Sequence, residues 1–286
     1  MTNSNVKRYV RFSTSEGTWY GLREGDTIHQ LEGDLFENPR QTGRTFNVSE
    51  VKLGVPLDES KVHKVFGVAG AYNNPEGYQR VMPHPRWFTK LPSALGAHEA
   101  DVEWPPHATN LNFEGELVLI IGKKGRHISV EDAPDYIFGV TIGNDWSENT
   151  WFGERQRTEE PSRLICKSVD GWASLHTDIV TGLDYSDLQI EIRMNGEPVA
   201  RGRTSSMVSS PAELIHYISH FVTVQPGDVI YTGTVNPPSF PGTRRPMQPG
   251  DVIEVEIENI GTLRNPVVAM KGRGKSFELP APAAAS

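Results

Sequence analysis

The chemistry in this chain starts with two carboxylates one residue apart, Glu114 and Glu116, which open the apolar run Leu117 to Ile121. On a strand, residues i and i+2 project from the same face, so both acids share a face with Val118 and Ile120. The other face carries Phe113, Leu117, Leu119 and Ile121, so the spacing predicts a strand buried on both sides. Two buried carboxylates repel each other unless a cation or protons compensate, and hard oxygen ligands suit Mg²⁺, Mn²⁺ or Ca²⁺. A solvated strand end satisfies the same spacing. Gly143-Asn144-Asp145 follows a second apolar run, residues 137–142, where Asp145 serves equally as a ligand or as the cap of the next turn. Lys167, beside Ile165 and Cys166, is either buried and paired or snorkelling. The segment Pro226 to Thr234 ends in Thr-Gly-Thr, whose backbone N–H groups could hold an oxyanion or form an ordinary turn.

Other candidates carry less. His216 and His220 have the i, i+4 spacing of metal ligands but lie opposite a helical apolar stripe, which places them on a solvated surface. Gly274-Lys275-Ser276 imitates the end of a phosphate loop, but Ala269 stands where that motif needs glycine. Cys166 reads as an inert core thiol in a β-rich apolar context, and no Gly-x-Ser-x-Gly nucleophile elbow occurs.

The elements that must position these groups are mostly strands. Residues 9–13, 18–22 and 27–31 alternate or are separated by glycine turns, and 37–47 reads as a polar loop. Residues 70–106 form a long irregular stretch rich in Pro and Gly. Ile190, Ile192 and Met194, and later Ile253, Val255 and Ile257, show period-2 burial. Asn195-Gly196 suits a type I′ hairpin turn after the first of these. One helix is marked by Ser210 as N-cap, Pro211 at N1 and Glu213 completing a capping box. Its stripe reads Leu214, Tyr217, Ile218, Phe221, Val222. The fold class is therefore mainly β, mixed α+β. A small N-terminal β domain is expected over residues 1–60, a larger domain over 61–278 and a disordered tail over 279–286.

Composition bounds the partners. The 286 residues carry 28 Lys and Arg against 36 Asp and Glu, a net charge of -8 that argues against a nucleic-acid footprint. No apolar run approaches the roughly 18 residues a spanning helix needs, so no membrane partner is expected. The polar N-terminus has no signal-peptide core, and the single cysteine permits no intrachain disulfide. A reducing, cytoplasmic location is expected.

In combination the motifs resemble the fumarylacetoacetate hydrolase family from about Val62 to Val268. The resemblance rests on Glu114/Glu116 leading to Ile121-Gly122, on Asn144-Asp145-Trp146-Ser147, and on Lys167 to Asp170. It continues through Pro226 to Thr234, Gly250 to Ile257 and Ile260 to Asn265, with Pro83, Pro85, Phe88 and Lys90 ahead of the acid pair. It implies a β-roll catalytic domain, a homodimer, and Mg²⁺ or Mn²⁺ held by Glu114, Glu116 and Asp145. It implies Lys167 beside the substrate oxygens, and Gly233 and Thr234 receiving a substrate carboxylate or carbonyl. Arg155 and Arg157 are further cations for that carboxylate, or partners of Glu154, Glu159 and Glu160. The substrate so implied is a 2-oxo or 1,3-dicarbonyl acid. Metal-assisted C–C hydrolysis leads, with isomerisation, tautomerisation or decarboxylation as alternatives, and a non-catalytic acid-binding protein as a further one. The chain departs from the family's Gly-x-Asn-Tyr-x-x-His-x-x-Glu pattern: Asn73 stands in the water-activating histidine position, while Glu76 keeps the acid. An amide has no basic nitrogen, so hydrolysis is expected to trail enolisation unless Glu76 or His84 serves as base.

Overall fold

The computed structural model describes residues 5–72, 84–105, 108–149, 163–235, 245 and 247–270. The N-terminal strands are β1 (Lys7–Thr14), β2 (Gly17–Glu24), β3 (Thr27–Glu32), β4 (Arg40–Asn47) and the short β5 (Lys52–Leu53). Next come β6 (Val65–Ala69), β7 (Arg86–Lys90), β8 (Leu95–Ala97), β9 (Val102–Trp104) and β10 (Leu111–Asn112). Then follow β11 (Gly115–Ile121), β12 (Ile137–Asp145), β13 (Ser147–Glu148), helix α1 (Arg163–Lys167), β14 (Ala173–Leu175) and β15 (Asp178–Thr181). The last elements are β16 (Gln189–Met194), β17 (Glu197–Arg203), helix α2 (Pro211–Ser219), β18 (Val229–Thr234), β19 (Val252–Ile257) and β20 (Gly261–Ala269).

Among the described residues the main sheet runs β4-β3-β2-β1-β15-β12-β11-β18-β6-β7, and a second, five-stranded sheet runs β17-β16-β19-β20-β9. The pairs are antiparallel except β18 with β6, β14 with β8 and β20 with β9. Because β1 pairs with β15, the N-terminal strands continue the main sheet; their own small core is Val10, Phe12 and Ile28. This is the mainly β, mixed α+β class that the strand patterns imply.

Strand β11 is the centre of the molecule, and every residue in it is buried. Leu117, Leu119 and Ile121 join the core shared with Ile190, Ile192, Val255 and Ile257 of the second sheet. Val118 and Ile120 face the other way, against Val229, Tyr231 and Leu175. The two-sided burial expected from the alternation is thus observed. At about 1.5–3 kcal/mol per buried aliphatic side chain, those five residues anchor the strand that presents the acid pair.

Three local readings need correction. The polar stretch 37–47 holds β4, an edge strand paired with β3, almost wholly exposed and therefore without the apolar alternation that marks a strand. The irregular stretch 70–106 holds β7, β8 and β9, too short and too close to prolines to show a period. In α2 the capping box forms as expected, but the buried stripe is Leu214, Ile215, Ile218 and Ser219. Phe221 lies beyond the last helical turn and is 65% exposed. Asn195 and Gly196 have φ of 54° and 83°, as the expected hairpin turn requires.

Candidate active site

The register between β11 and β12 builds the acid cluster. Gly115 pairs with Asn144 and Glu116 with Gly143, so Asp145 at the end of β12 arrives opposite Glu114. Two hydrogen bonds lock this corner: the Glu114 N–H donates to Asn144 Oδ1 at 2.9 Å, and the Asp145 N–H to the Glu114 carbonyl at 2.8 Å. Carboxylate oxygens of Glu114, Glu116 and Asp145 then lie within 4.8 Å of one another. Asp145 and Glu116 are buried, and Glu114 is a quarter exposed. Asp145 is therefore a strand-end carboxylate inside the cluster rather than a turn cap.

Two lysines enter from different elements. Lys167, the last residue of α1, donates to Asp145 Oδ2 at 2.6 Å and to Glu114 Oε2 at 2.7 Å. Lys90, the last residue of β7, donates to Asp145 Oδ1 at 2.5 Å and to the Trp146 carbonyl at 3.0 Å. Both oxygens of Asp145 are thus taken by ammonium groups, whereas among the described residues Glu116 receives only the Gly233 N–H, at 2.6 Å on Oε2. Gly233 has φ of 97°, and a Cβ there would lie 2.4 Å from Ala71 Cβ and 2.9 Å from the Val68 carbonyl oxygen. Only glycine allows that N–H to turn toward Glu116.

Burial, then the Asp145 and Glu114 charges, push the Glu116 carboxyl well above the usual carboxylate range. Burial likewise raises Glu114, though Lys167 offsets part of it. For Asp145 burial acts in the same direction, but Lys167 and Lys90 outweigh it and hold the group below its ordinary value. Burial opposes the Lys167 ammonium, yet Asp145 and Glu114 together keep its pKa above the normal lysine range. Lys90, fully buried, is pushed down by desolvation that Asp145 offsets only in part.

Three carboxylates therefore face two ammonium groups, and the one without a lysine is the one forced toward protonation. This donor set fits a divalent cation: all ligand atoms are hard oxygens, they are close enough to share one ion, and one positive charge is lacking.

A cavity of about 480 Å³ opens over the cluster. Glu114, Glu116, Lys167, Thr234 and Asn149 line its polar part; Val68, Phe88 and Leu164 contribute apolar wall, with Arg86 beside them. The Phe88 ring lies under the Lys167 ammonium, 4.7 Å from its centroid. It rests on Gly67, where a Cβ would lie 2.2 Å from Phe88 Cζ.

The structure thus brings together Glu114, Glu116, Asp145, Lys167, Gly233 and Thr234. The Gly233 N–H expected to receive substrate is committed to Glu116 instead. Asn73, Glu76, Arg155 and Arg157 lie outside the described residues. His84 stacks on Tyr217 with centroids 5.4 Å apart and borders a neighbouring, smaller cavity. His216 is partly buried, its Nδ1 2.8 Å from the Ile128 carbonyl, so only His220 keeps the exposed position expected of both. Cys166 is a buried thiol on α1, a helix rather than a strand. Residue chemistry alone missed Lys90 and Arg86. Both share one face of β7 with Phe88, but a five-residue strand carries too weak a sequence signal to reveal it.

Comparison with known proteins finds relatives over both parts of the chain. A family model described as fumarylacetoacetate (FAA) hydrolase C-terminal matches residues 63–268, and one described as Rv2993c-like, N-terminal matches 7–56. Protein Rv2993c of Mycobacterium tuberculosis is 31% identical over 271 residues, covering 91% of this chain and 98% of that protein. The human mitochondrial oxaloacetate tautomerase FAHD2A is 37% identical over 194 residues, covering 66% of this chain; the match spans only 60% of the tautomerase. The crystal structure of 2-hydroxyhepta-2,4-diene-1,7-dioate isomerase from Mycobacterium marinum superposes with a TM-score of 0.81 at 30% identity, covering 94% of this chain and 100% of that one.

Proposed function

The chain belongs to the fumarylacetoacetate hydrolase family, and from that premise we propose that it is a divalent-metal-dependent enzyme that interconverts keto and enol forms of a 2-oxo acid. The observation that carries the reading is the buried carboxylate triad with Lys167 bridging two of its members at the floor of the cavity. Glu114, Glu116 and Asp145 would hold Mg²⁺ or Mn²⁺, with Ca²⁺ an alternative, and the ion would supply Lewis-acid stabilisation of negative charge on the substrate's oxygens.

The chain's own groups do the rest. Lys167 stays protonated, so it acts as a fixed positive charge and hydrogen-bond donor beside the developing enolate rather than as a base. Two of its three N–H bonds are spent on Glu114 and Asp145, which fixes the direction of the third. Lys90 stands behind Asp145 and holds its carboxylate in place. Phe88 and Val68 give the cavity an apolar side, and a low-dielectric wall strengthens these charge interactions. Glu76 is the proposed proton acceptor, because Asn73 offers no basic nitrogen.

Relatives named as a tautomerase and an isomerase support enol chemistry over cleavage. Hydrolysis of a C–C bond would need a base for water in addition to the groups above. We further propose that the protein works as a homodimer, the commonest closed assembly. The functional reading is tested by following the ultraviolet absorbance of enol-oxaloacetate with Mg²⁺. Accelerated ketonisation without stoichiometric cleavage supports it; cleavage at the same rate as ketonisation would make the protein a decarboxylase if the products are pyruvate and CO₂, or a hydrolase if they are oxalate and acetate.

A further inference from the structure

Arg86 stands on the wall of the same cavity and is not used by the acid cluster. It opens β7, four residues before Lys90. Alternation puts Arg86, Phe88 and Lys90 on one face: Lys90 reaches Asp145, and Phe88 lies under the Lys167 ammonium. Strand residues i and i+4 are about 13 Å apart, so the Arg86 backbone is well removed from the residue that meets Asp145. Arg86 also borders the adjoining small cavity with His84, Val208 and Leu214, which places it at the outer end of the wall.

The Arg86 side chain is partly buried, and among the described residues it has no hydrogen-bond or ion-pair partner. A guanidinium cannot shed its charge, and taking it out of water without an anion is unfavourable. The cluster does not supply that anion, since its carboxylates are matched by Lys90, Lys167 and the cation they are suited to hold. Between Arg86 and the cluster the wall includes Val68, Phe88 and Leu164, suited to a short carbon chain.

We propose that Arg86 binds a second carboxylate of the substrate, remote from its 2-oxo acid end, and so makes the enzyme select dicarboxylic over monocarboxylic 2-oxo acids. This rests on the reading that the cavity binds 2-oxo acids. The guanidinium fork matches a carboxylate with two parallel N–H···O bonds, a geometry lysine cannot reproduce. Arg86 is a specificity residue here: it touches the distal end of the substrate and not the reacting atoms.

The test is calorimetric titration of the Mg²⁺-loaded protein with 2-oxoglutarate and 2-oxopentanoate, which have the same carbon count and differ in the terminal carboxylate. Wild type should prefer the diacid. In Arg86→Gln the diacid-to-monoacid affinity ratio should fall by about 10–100-fold, the scale of a charge-assisted pair, and Arg86→Lys should lie between. Equal affinities in wild type, or the same ratio in wild type and Arg86→Gln, would overturn the role of Arg86 and leave the 2-oxo acid reading standing. If wild type with Mg²⁺ binds neither acid, that reading fails and takes this inference with it.

Discussion

Replacing Glu116 with glutamine should move stability in opposite directions with and without metal. In the metal-free protein Glu116 is buried, has no lysine partner among the described residues and lies within 4.8 Å of two other carboxylates. At an effective dielectric of 20 that separation corresponds to about 3.5 kcal/mol of repulsion per ionised pair. Wild type escapes most of this by keeping the group protonated, so the recoverable part is smaller. Glutamine removes the charge but weakens the bond from the Gly233 N–H, which returns about 1 kcal/mol. The net expectation is a gain of about 1–3 kcal/mol at pH 8. At about 2 °C per kcal/mol for a chain of this length, Tm should rise by roughly 2–6 °C. The folded pKa of Glu116 lies above its unfolded value. Its contribution to wild-type stability is therefore full below the ordinary glutamate pKa and lost as pH rises through the raised one. The advantage of Glu116→Gln should vanish accordingly near pH 4. With Mg²⁺ at a hundred times Kd, wild type should gain about 2.7 kcal/mol and the variant far less, reversing the order. Differential scanning fluorimetry at pH 4 and pH 8, with and without Mg²⁺, reads all four states. A variant that melts below wild type without metal at pH 8, or keeps the full Mg²⁺ response, would refute the charge accounting.

Lys90→Met should destabilise the protein by about 3–5 kcal/mol in urea titrations, because it strips a buried carboxylate of one partner; a loss under 1 kcal/mol would mean Asp145 does not need it. Gly233→Ala should weaken Mg²⁺ binding by at least tenfold in calorimetry, since a Cβ at that φ collides with Ala71 and moves the N–H off Glu116. Burial holds His176 down to about 4. Its stability contribution should therefore be full above the unfolded histidine pKa and fall by up to about 3 kcal/mol between pH 6.5 and pH 4, as the unfolded state takes up the proton first. His176→Gln should flatten that limb of a pH-denaturation series, and an unchanged limb would assign the acid sensitivity elsewhere. Light scattering should give twice the 31.8 kDa chain mass for the proposed dimer, and a single-chain mass across micromolar concentrations would exclude it.

The core of the site was legible because its residues sit on strands with strong alternation. Glu114 and Glu116 lead a strand whose two apolar faces are visible as Leu117/Leu119/Ile121 and Val118/Ile120, and both faces are buried as expected. Asp145 and Lys167 could be named, but residue chemistry alone left each open between ligand and cap, or between buried and snorkelling. What decides them is long-range: the β11–β12 register for Asp145, and α1 folding back over β7 for Lys167. Lys90 and Arg86 lay in a stretch read as irregular, where a five-residue strand flanked by Pro85 and Pro92 gives too few periods to count. The edge strand β4 was missed for the complementary reason, since an exposed edge needs no apolar face. The committed N–H of Gly233 could not be foreseen from Thr-Gly-Thr, because the bond depends on a positive φ and on a partner 117 residues away.

The central claim is that the carboxylate triad and Lys167 stabilise an enolate. The most direct measurement is exchange of the carbon-3 hydrogens of 2-oxoglutarate in D₂O, followed by NMR with Mg²⁺ in wild type, Asp145→Asn and Lys167→Met. The account predicts exchange well above the Mg²⁺-only control in wild type, lowered by at least a hundredfold in both variants, with the carbon skeleton intact. Exchange no faster than the control, or equally fast in wild type and both variants, would contradict it.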